Sequence, residues 1–319
     1  MQHLDRRRLL FALAAASTAT AIPAAAGTRR TFFERIGRPI GLQVYTLGPD
    51  AGKDVDATFA SIAAIGYREI ELPGLLGRTP AQLAAAAARA GLAIVSLHVP
   101  LLAVGGPMAM TLNSDPGRLA DTVGALGARW AVAPIALIPT NFRPAAGEAM
   151  GAAIARTVAA AGADIWKQTA EQLNKAASSL SAHGIKVGYH NHNIEFRPIG
   201  ETSGWNILLE ECDPRLVSFE LDLGWVATAG LDPVRVLRRL HGRVRLLHVK
   251  DVAAGNSQSY EISMQPAEVG AGTIDWASVL PAAQKAGVQH YLVEQEPPFT
   301  IPRIEAAERS HRFLSQLRA

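Results

Sequence analysis

The chain holds a single cysteine, Cys212, so no internal disulfide can form and a zinc site built from thiolates alone is excluded. Its neighbours Leu208, Leu209 and Leu216 make it read as a small buried hydrophobe. Positive charge is also scarce. Of a formal net charge of +3, Asp5 and the arginines at 6 to 8 contribute +2. No cluster of Lys and Arg with interleaved aromatics appears, which argues against nucleic acid as a partner. The densest basic run, Arg235, Arg238, Arg239, Arg243 and Arg245, has helical spacing and reads as a solvated face. No Gly-x-Gly-x-x-Gly follows the first strand-like run, so a dinucleotide site there is unsupported, and no clear phosphate loop is present. The apolar run near the start, Leu9 to Ala16, is too short to span a bilayer comfortably.

That run has a context. Arg6, Arg7 and Arg8 precede it, and the small residues Ala24-Ala25-Ala26 follow. This is the order of an export signal, and the paired arginines ahead of Leu9 and Leu10 resemble a twin-arginine address. Residues 1–26 are therefore expected to be a removable signal and the mature chain to be periplasmic or otherwise exported, without stable membrane insertion. Residues 27–39 read as a linker and 40–319 as one domain.

Within that domain, apolar β-branched runs alternate with helically periodic ones. The expected strands are Gly41–Tyr45, Arg68–Leu72, Ala93–His98, Trp130–Pro134, Lys186–Tyr189, Val217–Asp222, Arg245–Val249 and Tyr291–Glu294. Eight periodic stretches lie among them; Thr79-Pro80 opens one, and Gly66, Gly91, Gly184 and Gly287 close others. This count predicts an α/β fold, a (β/α)8 TIM barrel. Two longer insertions, Val99 to Asp115 and Ile135 to Gly147, follow the third and fourth strands, on the face where a barrel builds its pocket.

The chemistry-bearing residues gather at strand ends. Asp222, His248 and Glu294 end the sixth, seventh and eighth strands and supply two carboxylates and an imidazole. Such a set suits Mn²⁺ first, with Mg²⁺, Co²⁺ or Zn²⁺ as alternatives. The fifth strand runs into Tyr189-His-Asn-His-Asn-Ile-Glu195. His190 and His192 share parity and so one face. His190 is favoured as the fourth metal ligand and His192 as acid/base, with Glu294 and Lys250 as further proton-transfer candidates. Glu71, His98, Trp225 and Glu195 are candidate substrate contacts, Trp225 as a stacking platform for a sugar ring.

Five stretches together resemble the sugar phosphate isomerase/epimerase-like branch of the xylose isomerase-like TIM barrels: Tyr189 to Phe196 (Tyr-His-Asn-His-Asn-Ile-Glu-Phe), Leu-Asp-Leu-Gly-Trp225, Leu-His-Val-Lys-Asp251, Gly-Ala-Gly-Thr-Ile-Asp-Trp276 and Val-Glu-Gln-Glu296. The resemblance implies a divalent metal held by Glu, Asp, His and Glu at the ends of strands five to eight. Asp222, His248 and Glu294 match the last three. The first falls on His190 rather than Glu, and Trp225 stands where epimerases of the family often carry His. The expectation that follows is a metal-dependent isomerase or epimerase taking a proton from a non-phosphorylated sugar, next to an oxygen the metal polarises. The same site also suits a 3-keto-glycoside lyase or hydrolase. An exported, non-catalytic sugar-binding protein is the reading from another class, and an abasic-site endonuclease ranks last. The partner expected is a small carbohydrate, with homo-oligomerisation left open.

Overall fold

A computed structural model describes residues 30–102 and 110–319. The expected signal and part of the insertion after the third strand lie outside them. Eight strands form the barrel: β1 Ile40–Gln43, β2 Glu69–Leu72, β3 Ala93–His98, β4 Trp130–Ala133, β5 Lys186–His190, β6 Val217–Asp222, β7 Val244–Val249 and β8 His290–Val293. Neighbours pair in parallel around the ring, and Ile40 opposite Tyr291 closes it between β1 and β8. The (β/α)8 expectation is met; Ala93–His98 and Val217–Asp222 have the expected bounds, and the other strands differ by a residue or two at one end or both.

Strand alternation divides the side chains. One face of each strand packs outward under the helices; Phe219, Leu221, Leu247, Tyr291 and Val293 are among the buried side chains of that layer. The other face fills the barrel. Val95, Trp130, Val132, Leu246 and Leu292 form a separate inner cluster. Each such side chain contributes roughly 1.5–3 kcal/mol on burial. Gly41 leaves room for this plug, since a Cβ there would stand 2.6 Å from Leu292 Cδ2. The middle of the barrel is thus packed and dry, and polar groups on the inner face are pushed to its two ends. At the N-terminal end of the strands His290 Nδ1 meets Glu69 Oε2 at 3.0 Å. Lys186 also sits at that end, its ammonium 5.1 Å from the Trp130 ring centre. The larger set of inward polar groups collects at the C-terminal end.

The helices follow local signals where these exist. Pro80–Ala90 starts with a reciprocal cap between Thr79 and Gln82 and stops at Gly91 in the left-handed region (φ 69°). Three helices were not anticipated, Leu223–Thr228 directly after β6 among them. Met150–Ala161 begins without any side-chain cap. Phe32–Ile36 lies in the expected linker, and Phe32 and Phe33 pack edge-on against Tyr291, with ring centroids 6.2 and 5.4 Å away. This short helix therefore belongs to the packed domain. Among the described residues no helix is long and apolar enough to cross a membrane.

Candidate active site

The ring of polar groups at the barrel mouth is built by parity. Positions two apart on one strand face the same way, so Glu220 and Asp222 on β6 both point inward, as do His248 and Lys250 along and beyond β7, and Glu294 and Glu296 after β8. Pairing brings His190 opposite Glu220 and Asp222 opposite His248. His190, Asp222, His248 and Glu294, the four expected ligands, come together with ligating atoms all within 4.8 Å of one another; so do His98, His190, Glu220 and His248.

The imidazole of His248 stands between two pairs of carboxylates. Its Nδ1 lies 2.8 Å from Glu294 Oε2 and 3.5 Å from Asp222 Oδ2, and its Nε2 lies 2.7 Å from Glu71 Oε1 and 3.2 Å from Glu220 Oε2. Burial opposes a charge on this ring, but Glu220 and Glu294 outweigh it and hold the group well above its ordinary value. His98 is governed in the same way. Its Nε2 is 3.1 Å from Glu71 Oε1 and 3.0 Å from Glu220 Oε2, and these partners overcome burial and push it up to about 10. The shares of the two carboxylates differ. Burial would raise Glu71, but His98 and His248 hold it well below the usual range. Burial and the charge of Glu71 push Glu220 up to about 7.

Lys250 is fully buried, and its ammonium is held by three carboxylates: Asp222 Oδ2 at 2.8 Å, Glu294 Oε2 at 2.7 Å and Glu296 Oε1 at 3.1 Å. Burial opposes the charge, but Asp222, Glu294 and Glu296 outweigh it, so the group stays protonated far above neutral pH. Its stem runs against Gly224, where a Cβ would stand 2.6 Å from Lys250 Cγ, and its Nζ lies 5.0 Å from the Trp225 ring centre. Lys250, expected as a spare base, is instead a fixed cation.

The same corner places Trp225. Asp222 divides its oxygens: Oδ1 accepts from the Trp225 backbone N–H at 2.9 Å and caps the helix Leu223–Thr228, while Oδ2 turns to Lys250. Asn191, pointing away from its histidine neighbours, ties the ends of β5 and β6 by accepting from the Asp222 N–H at 2.9 Å.

Two further expectations change. Glu195 reaches neither a ligand site nor the cavity. It is fully buried, and accepts from the Tyr189 hydroxyl at 2.6 Å and from the His192 N–H at 3.0 Å; burial pushes it up to about 7. It therefore fixes the turn that carries His192. Glu71, expected to touch substrate, lies beneath His98 and His248 and also accepts from Gln43 Nε2 at 2.7 Å. Asp251 turns away from Lys250. It accepts from the N–H groups of Gly270 and Ile274 and from Trp276 Nε1, closing the Gly-Ala-Gly-Thr-Ile-Asp-Trp segment.

Above the ring opens a cavity of about 670 Å³. His98, His190, His192, Trp225, Glu294 and Glu296 line its floor, and Tyr45, Ile262, Met264, Pro297 and Pro298 are among its walls. No Lys or Arg is among the described residues lining it. His192 packs 5.3 Å from Trp225, ring to ring, and its Nδ1 has no hydrogen-bond partner. Burial and the charge of Lys250 bring it down to about 4, so it is neutral at neutral pH. His190 is likewise neutral, held low by burial and by His248. Glu220, Glu296, Gln43 and Tyr45 had no assigned role from the sequence. For Glu220 and Glu296 the signal was present, since each sits two residues from a carboxylate already singled out.

A family model described as xylose isomerase-like TIM barrel matches residues 59–317. An inosose dehydratase of Geobacillus thermodenitrificans (strain NG80-2) is 28% identical over 164 residues, 47% of this chain and 54% of that protein. An inosose dehydratase of Mesomycoplasma hyopneumoniae (strain 7448) is 38% identical over 88 residues, 27% of this chain and 28% of that protein. The chain thus matches about half the length of the first and less of the second. A solved sugar phosphate isomerase/epimerase from Parabacteroides distasonis ATCC 8503 superposes with a TM-score of 0.67 at 24% identity, covering 88% of this chain and 98% of the other. A solved L-ribulose 3-epimerase gives 0.59 at 16% identity, covering 87% and 93%. At these identities the structural likeness speaks for the fold.

Proposed function

The chain belongs to the xylose isomerase-like TIM barrel family, and from that premise we propose that it is a carbohydrate enzyme that abstracts a proton next to a carbonyl of a non-phosphorylated sugar. The observation that carries this reading is His192: an imidazole on the cavity floor, neutral, with a free ring nitrogen, packed against the one tryptophan that lines the cavity among the described residues. The absence of Lys and Arg from that lining, and the presence of Glu294 and Glu296 in it, disfavour a phosphorylated substrate.

The residues fit a divalent cation. Buried polar atoms without a hydrogen-bond partner converge on the mouth: Glu71 Oε2, Glu220 Oε1 and His190 Nδ1. His190 and His248, common to both four-residue groupings, would hold it together with carboxylate oxygens of the same ring. A bound ion would stabilise the negative charge that builds on the carbonyl oxygen and so acidify the adjacent C–H.

The chain's own groups do the rest. Trp225 supplies a flat apolar face for the C–H side of the sugar. His192 takes the proton as the C–H bond breaks, and the electron pair moves onto the carbonyl oxygen. From there two outcomes share the step. Return of a proton to the same carbon from the opposite side gives an epimer, and return to the former carbonyl carbon gives an isomer. Collapse of the electron pair with departure of the neighbouring oxygen substituent gives elimination, as in a dehydratase or a keto-glycoside lyase. Elimination is favoured by one feature: the other cavity carboxylates, Glu294 and Glu296, are both tied to Lys250, so neither is free to serve as a second carboxylate base opposite His192.

A panel of aldoses, ketoses, inososes and 3-keto-glycosides, incubated in D₂O with divalent metal, tests the reading. The expected result is deuterium at one carbon or an unsaturated product, and His192→Ala should lower turnover on the order of 10²–10⁴-fold while sugar binding persists. Binding without exchange or product across the panel would instead make the chain a sugar-binding protein.

A further inference from the structure

We propose that the metal of this chain sits between His98, His190, His248 and Glu220, one step deeper than the Asp222–Glu294 position expected from the sequence. The inference goes beyond the reaction proposed above, since it concerns only which atoms hold the ion.

Three imidazole nitrogens surround one carboxylate oxygen. Glu220 Oε2 lies 3.0 Å from His98 Nε2, 3.2 Å from His190 Nδ1 and 3.2 Å from His248 Nε2. Ligands about 2.0–2.1 Å from a tetrahedral ion stand roughly 3.3–3.4 Å from each other, so these spacings are close to the edges of a coordination shell. His190 Nδ1 approaches Glu220 without hydrogen-bond alignment and is left unpartnered, as are Glu220 Oε1 and Glu71 Oε2. All are buried, whereas His98 and His190 also line the cavity.

The expected position has a different occupant. Asp222 Oδ2 and Glu294 Oε2, the oxygens it requires, both hold the Lys250 ammonium. That network has a second effect. Glu294 Oε2 lies 2.8 Å from His248 Nδ1, and a proton there turns Nε2 toward the shell, where it lies 2.7 Å from Glu71 Oε1 and 3.2 Å from Glu220 Oε2. A carboxylate that fixes the tautomer of a ligating histidine in this way is a common support of metal sites. Asp222, Glu294 and Lys250 thus position His248, and Glu71 lies behind the shell. Three nitrogens and one oxygen select Zn²⁺ or Co²⁺ over Mg²⁺ and Mn²⁺.

The test is equilibrium titration of the chelator-treated full chain with Zn²⁺ and with Co²⁺, the latter read by its visible absorption. One equivalent should bind, with the intense spectrum of four-coordinate Co²⁺. Glu220→Gln and His98→Asn should each weaken binding at least tenfold. Asp222→Asn, which keeps the oxygen that caps the Trp225 helix, should weaken it at least tenfold less than either shell variant, within the roughly 10–100-fold that loss of an outer-shell partner costs. Thermal melts identify any variant that fails to fold, and the two shell variants are independent of each other. Loss of metal in Asp222→Asn as great as in Glu220→Gln overturns the assignment, as does full affinity in both shell variants or no stoichiometric binding by the parent chain. No sugar enters these titrations, so their outcome is separate from that of the substrate panel.

Discussion

Removing the Lys250 ammonium would leave Asp222, Glu294 and Glu296 as buried carboxylates without their common partner. Taking one member from a buried ion group is far more costly than never having built it, so Lys250→Met should destabilise chelator-treated protein by about 3–5 kcal/mol at pH 7, read by urea unfolding. A loss below about 1 kcal/mol would show that the cage is not tight. Glu195 offers a second residue-level prediction, with a definite sign. Its ordinary value of 4.5 rises to about 7 in the fold, so the folded chain keeps a proton that the unfolded chain releases between those values. Its contribution is complete below 4.5 and drains away as pH climbs to about 7. Glu195→Gln does not titrate, so the variant should gain on wild type from pH 5 to pH 8, by an amount on the order of 1–3 kcal/mol. Paired melts across that range check it, and parallel curves would refute it.

At the scale of elements, the segment after β7 is what walls the cavity with Ile262 and Met264, and it is anchored twice. Asn193 accepts from the Ile262 N–H at 3.1 Å and donates to the Ser259 carbonyl at 2.9 Å. Asp251 gathers the N–H groups of Gly270 and Ile274 and the Trp276 indole. Asp251→Ala should therefore cost ~2–4 kcal/mol and speed amide exchange at Gly270 and Ile274 well before the barrel strands exchange. Unchanged exchange there would mean the segment is held by other contacts. The elements themselves were largely legible, because strands that are apolar throughout and end in Asp, His or Glu stand out from periodic helices. Pro80–Ala90 and Trp276–Ala286 carry explicit stop signals, and the structure ends them at the expected Gly91 and Gly287. Met150–Ala161 does not. Its first residues are Met150 and Gly151, and Ala149 offers no capping oxygen, so nothing local marks its start.

For the molecule as a whole, the barrel order and the identity of its chemical end could be read from residue spacing. Which oxygen faces which nitrogen could not. Lys250 meets Glu294 and Glu296 across more than forty residues of chain, and only strand register shows that its charge is already spent. Glu71 was misjudged for the same reason: its partner His248 lies on the far side of the ring. The destination of the molecule is a separate matter, argued from the arginines before Leu9. If these are an address of the twin-arginine type, then Arg6→Lys with Arg7→Lys should retain the chain inside the cell, followed by fractionation of the two forms. Export at the normal level would refute that reading, and with it the argument that the sugar is met outside the cytoplasm.

Gly224 and Lys250 have a consequence in descent as well as in structure. A methyl at 224 would strike the lysine stem at 2.6 Å, so neither position is free to drift alone. A lineage that gains any side chain at 224 must first give up the lysine, and one that gives up the lysine must find another answer for three neighbouring acids. In Lys250 this chain holds a covalently tethered cation, one that cannot be lost to dilution or to a chelator.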